Sequence, residues 1–434
     1  MSSILPGWGN MEGSASEPIN IPCGNGPTPV NVWEYEAYAA ATLPKNAFDY
    51  YSSGANDMIT LRENRSVFLC LRFDGKGFFF FLNMSVSVLA CDELISSLAL
   101  FHFAHLSAAF NRLRMRPRIL RDVSQTNITT TILGDEVSMP ILLSPTAMQQ
   151  MAHPEGERAT ARAAAGAGTL MTLSSWSTIA LEEVMDAAPQ GLKWFQLYVY
   201  KDRDVTLDLI KRAEKAGYKA LAITVDTPVL GRREADLRNS FKLPSHLTMG
   251  NFAKASGAHN KGTTQQGGLA KYVASLIDKT LNWEDIVWVR SHTTMKIVVK
   301  GVMTAEDAKK AVENGVDGIL VSNHGARQLD TVPATIEMLP EIVEVVKGRC
   351  EVYLDGGVCR GTDALKALAL GARAVLIGRP YVWGLAHNGE AGVKHVLQLL
   401  RDELIMALQL CGCTRLSDIK PEMVRHHQQY LAKL

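Results

Sequence analysis

From Pro140 onward, short apolar runs rich in β-branched residues alternate with helical stretches rich in Ala, Glu and Lys. The runs are Ile141–Ser144, Leu170–Leu173, Trp194–Val199, Ala220–Val225, Ile297–Val299, Gly318–Val321, Val352–Leu354 and Ala374–Ile377. Continuous apolar runs of this length read as strands covered on both faces, and strands alternating with helices read as βα units of a parallel sheet. Eight such units in succession predict an α/β fold, the closed (β/α)8 TIM barrel. The longest interval, about 227 to 296, separates the fourth and fifth runs and is mostly polar, which predicts a long loop above the barrel. Upstream, Val32 to Leu43 predicts a helix stopped by Pro44, and a second helical stretch carries Phe48-Asp49-Tyr50-Tyr51 and ends near Gly54. Helices over about 390 to 430 are expected to close the domain.

Two segments depart from this order. Residues 1–30 are rich in Gly, Pro, Ser and Asn without an apolar period, and read as a flexible leader to one barrel domain over 31–434. Inside that domain, 66–107 reads as an atypical apolar insertion. Eight of the 13 phenylalanines fall there (Phe68, Phe73, Phe78, Phe79, Phe80, Phe81, Phe101 and Phe103), and the run Leu98–Phe103 adds a second apolar stretch. Asp92 and Glu93 divide it, so neither half reaches the length of a membrane span.

Composition narrows the partners. The chain has 434 residues, 47% hydrophobic and 21% charged, enough apolar material for a large core. A net charge of +1 supplies no basic field for nucleic acid or an acidic membrane, so a small-molecule partner is expected. The seven cysteines form no zinc spacing, so no metal site is expected, and their odd number fits a reducing compartment. No basic-then-apolar signal opens the chain, and the final Ala432-Lys433-Leu434 resembles the Ser-Lys-Leu peroxisomal address, which makes the peroxisome the expected location.

Barrel enzymes carry their chemistry at the C-terminal ends of the strands. The residues found there are Pro145-Thr146-Ala147, Ser174-Ser175-Trp176, Gln196 with Tyr198, Thr224 with Asp226, Lys300, Ser322-Asn323-His324-Gly325 with Arg327, Asp355-Gly356-Gly357, and Gly378-Arg379. Polar groups at all eight strand ends are more than solubility requires. The last two loops suit phosphate, since glycine lets backbone N–H groups approach and arginine can form two parallel bonds. His324 is the candidate base and Asp226 the carboxylate that orients it, while Arg327 offers a cation for a substrate carboxylate.

At these residues the chain resembles the FMN-dependent 2-hydroxy acid oxidising family. The resemblance rests on Ser322-Asn323-His324-Gly325-Ala326-Arg327-Gln328-Leu329-Asp330, Leu354-Asp355-Gly356-Gly357, Ile377-Gly378-Arg379-Pro380, Pro145-Thr146-Ala147-Met148 and Phe195-Gln196-Leu197-Tyr198-Val199-Tyr200. It covers about 32 to 65 and about 108 to the C-terminus, and is strongest toward the plant-type peroxisomal branch that oxidises glycolate. It implies FMN as cofactor, a small L-2-hydroxy acid and oxygen as substrates, hydrogen peroxide as product, and a homotetramer or larger assembly. It implies that His324 removes a proton with Asp226 stabilising the imidazolium, and that Tyr50 and Arg327 bind the substrate carboxylate. Arg233 assists there, Tyr198 meets the substrate oxygen and Trp176 narrows the pocket. Ser174, Gln196, Thr224, Pro145, Thr146 and Ala147 would hold the flavin ring, with Lys300 near its N1 edge and Ser322 on the ribityl chain. Asp355, Gly356, Gly357, Cys359, Gly378 and Arg379 would line the phosphate end.

Two positions depart from the family pattern. Cys359 stands where an arginine usually meets the FMN phosphate, with Arg360 following it, and Val229 stands where close relatives carry arginine. Loss of one charged hydrogen bond costs roughly 1.5–3 kcal/mol. Two other readings share the barrel. One is a dehydrogenase passing electrons to another acceptor, for which the leader is short of a haem domain and 227–296 too polar for a membrane anchor. The other is a catalytically impaired isoform serving as a subunit partner.

Overall fold

The computed structural model describes residues 28–68, 106, 107, 109–252 and 275–431. Most of the expected leader, most of 66–107, part of the loop after the fourth strand and the C-terminal tripeptide lie outside the described residues. Eight parallel strands close into a barrel: β1 (Ile141–Leu143), β2 (Met171–Ser174), β3 (Lys193–Leu197), β4 (Ala220–Thr224), β5 (Lys296–Val302), β6 (Gly318–Val321), β7 (Glu351–Leu354) and β8 (Ala374–Ile377). Their order round the barrel follows the sequence, β8 pairing with β1, so each crossover joins neighbouring strands.

The period of two along a strand explains why the site sits where it does. Leu142, Trp194, Val298, Leu320, Tyr353 and Leu376 form one buried cluster that fills the barrel. Ile132 and Val137 join it from the hairpin formed by Thr130–Ile132 and Asp135–Val137, which covers the N-terminal end. Two residues further along the same strand faces come Gln196, Lys300, Ser322 and Asp355, so the polar set stands directly on top of the apolar filling. A second, larger cluster lies between the strands and the outer helices.

Three helices precede the barrel: α1 (Val32–Thr42), α2 (Lys45–Ser52) and α3 (Ile59–Arg65). Asn31 caps α1 by accepting hydrogen bonds from Trp33 N and Glu34 N, and Pro44 both ends that helix and forms the N-cap of α2. α2 carries Tyr50 and Tyr51 to the barrel mouth, where both are buried. The closing helix begins earlier than the sequence pattern predicts: it runs Arg379–Leu410, starting at the end of β8, and is broken where Asn388 and Gly389 leave helical geometry. The two ends of the apolar segment meet, Ser66–Phe68 pairing antiparallel with Leu106–Ser107 and Ser66 facing Ser107. Among the described residues, no helix is long and apolar enough to cross a membrane.

Candidate active site

The C-terminal mouth of the barrel holds a cavity open to solvent, lined by residues from all the strand ends. At its centre the β4 and β6 loops bring Asp226 and His324 together, with His324 Nδ1 2.8 Å from Asp226 Oδ1. His324, Gly325 and Ala326 all hold positive φ (58°, 61° and 62°), a turn that costs an L-residue roughly 1–2 kcal/mol. Neighbouring groups hold the turn in place. Ser322 Oγ accepts the His324 amide at 3.1 Å, and Asn323 Oδ1 accepts that of Ala326 at 3.1 Å. Burial, helped by the charges of Lys300 and Arg233, lowers His324 to about 4 against the opposing pull of Asp226. Burial alone would raise Asp226, but His324 and Lys300 outweigh it and hold the carboxyl down at about 2. The pair is therefore a neutral imidazole against a carboxylate, the state a general base requires.

Lys300 stands beside this pair, its Nζ donating to Ser322 Oγ at 3.0 Å and lying 3.9 Å from both Asp226 Oδ2 and Asp355 Oδ2. β5 continues past Lys300 to Val302, with a register shift at Gly301. Gly301 has φ +112, and a Cβ there would lie 2.7 Å from Asp226 Cβ, so the missing side chain is what lets the carboxylate approach. Across the cavity, Arg327 lies 4.7 Å over the Tyr50 ring and donates to Ser53 O and Tyr50 O. Buried Arg233 donates to Arg327 O at 3.3 Å, and burial followed by Arg327 lowers it to about 10. Phe241, from the loop after β4, stacks on Tyr50 at 4.6 Å. Two close guanidinia with their strongest contacts to carbonyl oxygens leave positive charge for a substrate carboxylate.

The opposite wall is an amide and hydroxyl network. Gln196 Nε2 donates to Thr224 Oγ1 at 3.0 Å, while Gln196 Oε1 accepts from Ser175 N at 3.2 Å and Ser174 Oγ at 3.3 Å. Trp176 Nε1 donates to Tyr200 OH at 3.1 Å, and its ring lies 5.1 Å from that of Tyr198. At the far end Gly356 and Gly357, with φ +91 and +87, curl beside Gly378 and Arg379.

The pattern of the FMN-dependent dehydrogenase family matches residues 101–426. The chain belongs to that family. It is 54% identical to glycolate oxidase 3 of Oryza sativa subsp. indica over 389 residues, covering 90% of this chain and 94% of the relative. Glycolate oxidase of Spinacia oleracea is 53% identical over 390 residues, with the same coverage. A crystal structure of mandelate oxidase with (S)-2-phenylpropionate superposes with a TM-score of 0.74 at 36% identity, covering 92% of this chain and 98% of that one. The crystal structure of mandelate oxidase with benzoyl-formic acid gives a TM-score of 0.74 at the same identity and coverage.

FMN is accordingly the cofactor, and the residues present fit it. Asp355 Oδ1 is a buried acceptor lining the cavity without a hydrogen-bond partner among the described residues, so a donor on a bound molecule could satisfy it. The glycine turn and Arg379 supply a cradle for an anion at one end.

Of the residues expected to take a catalytic, substrate or cofactor role, all but Asp226 and Ser322 line this cavity. Asp226 lies behind His324, and Ser322 is fully buried beneath it, bonded to Lys300 and to the His324 backbone. Arg360 does not face the cavity: its guanidinium pairs with Glu403 Oε1 at 2.6 Å. Sequence reasoning missed Tyr51 and Arg65, which also line the cavity. Both come from helices before the barrel, where no strand end marks them.

Proposed function

We propose that this chain oxidises a small L-2-hydroxy acid, glycolate foremost, to the 2-oxo acid while oxygen is reduced to hydrogen peroxide. The observation that carries the reading is one cavity in which the His324–Asp226 pair faces the guanidinia of Arg327 and Arg233. FMN, when bound, supplies a two-electron acceptor. Arg327 and Arg233, with the Tyr50 hydroxyl, hold the substrate carboxylate and so fix the hydroxyl-bearing carbon. Tyr198 contacts the substrate oxygen. His324 takes the substrate proton, and Asp226 stabilises the imidazolium that results. Lys300, buried between two carboxylates, would stand near the N1 edge of FMN and stabilise negative charge there. Gln196, Thr224, Ser174 and the Pro145-Thr146-Ala147 turn hold the ring, and Trp176, braced by Tyr200, shortens the space for the substrate tail. Gly356, Gly357 and Gly378 with Arg379 would receive the ribityl phosphate, in the part of the cavity that Asp355 and Cys359 also line.

The test uses purified flavin-loaded protein, with peroxide measured under glycolate, L-lactate and a long-chain 2-hydroxy acid. Fastest turnover with glycolate is expected. A flavin that none of the three acids reduces anaerobically would sink the proposal, and one that is reduced without forming peroxide would point to another acceptor. A homotetrameric or larger assembly and a peroxisomal location belong to the same reading, supported by the family resemblance.

A further inference from the structure

The phosphate end of the cavity contains a cation that the proposed chemistry does not use. Arg65 is the last residue of α3, and it lines the cavity together with Gly357, Cys359 and Arg379. α3 is pinned there twice. Asn64 and Asn323 exchange reciprocal side-chain hydrogen bonds of 2.9 and 3.0 Å. A Cβ on Gly357 would lie 2.1 Å from Asn64 O, so the end of the helix sits in space that only glycine leaves open. Arg65 is thus held by buried contacts on both sides of its helix end.

Its charge environment is unbalanced. Arg65 Nη1 meets Glu36 Oε1 at 2.9 Å. Arg379 is partly buried, and its three hydrogen bonds run to carbonyl oxygens, those of Tyr51 (2.7 Å), Ser53 (3.0 Å) and Gly325 (3.1 Å). The two guanidinia repel each other, and burial followed by Arg65 lowers Arg379 below its ordinary value. Cys359, buried between them, is a neutral thiol that burial pushes up to about 12, so it contributes no charge. Two partly buried cations with one carboxylate between them among the described residues are well matched to a dianion.

We propose that Arg65, together with Arg379, binds the phosphate of FMN. The inference rests on placing that phosphate at the β7–β8 end of the cavity. It explains how a chain with cysteine at 359 and with Arg360 tied to Glu403 still presents two guanidinia to the cofactor.

The experiment titrates apoprotein with FMN and with riboflavin, which lacks the phosphate. Arg65→Gln should weaken FMN binding about tenfold, the equivalent of 1.4 kcal/mol, and leave riboflavin binding unchanged. Arg65→Lys, which keeps the charge but not the fork, should fall between. Glu36→Gln should tighten FMN several-fold by removing the competing carboxylate, an effect that a purely structural Arg65 would not produce. Cys359→Arg should restore FMN affinity in the Arg65→Gln background. Equal losses for both flavins in Arg65→Gln, or no loss for either, would overturn the proposal. Wild-type apoprotein that binds riboflavin as tightly as FMN would remove the phosphate site itself, and the proposal with it.

Discussion

At the scale of single residues, the site depends on which groups carry charge before substrate arrives. His324 is depressed to about 4, so it remains a neutral base as pH falls well below the value of 6.5 for a free imidazole. In the unfolded chain that imidazole takes up its proton near 6.5. The stability contributed by burying it neutral is therefore present above 6.5, and is lost as pH falls toward 4. In activity, the acid limb of kcat/KM should lie clearly below pH 6.5 in the flavin-loaded enzyme. An acid limb at 6.5 or above would show that the imidazole is not held neutral. His324→Ala should retain FMN, read from the visible spectrum, yet slow anaerobic flavin reduction by about 10²–10⁴-fold; near-normal reduction would remove His324 from the mechanism. Asp226→Asn should lower the acid limb further, because the carboxylate is the group that raises His324, and should also slow turnover by losing the charge that stabilises the imidazolium.

At the scale of elements, the barrel strands and the polar set at their ends were legible in the sequence because both follow local rules. Apolar runs recur between helices, and the ends of these runs gather at the mouth. Lys300 was found in this way although β5 continues two residues beyond it. The bulge at Gly301 was not legible, since its cause is the approach of Asp226 from another strand. Arg65 was missed for the same reason: a helix end before the barrel reaches the site through Gly357 and Asn323, contacts without a local signal. The bulge makes a separable prediction. Gly301 and Gly315 both hold positive φ, but only at Gly301 would a Cβ meet another atom, Asp226 Cβ at 2.7 Å. Ala at either position should cost about 1 kcal/mol of stability from backbone strain. Gly301→Ala alone should also displace Asp226 and cut kcat by tenfold or more, with FMN content unchanged. Equal kcat in the two variants would show that the bulge does not position the carboxylate.

At the scale of the whole molecule, the open question is what 66–107 contributes, and the fold around it favours dispensability. The segment leaves α3 and returns at the same point, Ser66 facing Ser107 across a short antiparallel pair. The chain on its C-terminal side has its own anchor: Phe110 is buried, and its carbonyl accepts Lys366 Nζ at 3.0 Å. On the N-terminal side Arg65 is held by Glu36, and Asn64 by Asn323. Both anchors are made with partners outside the segment, Glu36 and Asn323 on one side and Lys366 on the other. Closing a shorter loop costs less entropy, and removing a stretch with a run of four phenylalanines, Phe78 to Phe81, removes a route to aggregation. Deletion of 66–107, joining Arg65 to Ala108, should therefore yield a soluble protein with at least the parent's FMN content, melting temperature and glycolate turnover. The two forms would be expressed side by side and compared by flavin absorbance, thermal melt and peroxide release. A deleted form that fails to fold or loses FMN, while the full-length chain keeps both, would make the segment part of the cofactor wall, because α3 and Arg65 would then depend on it for their position.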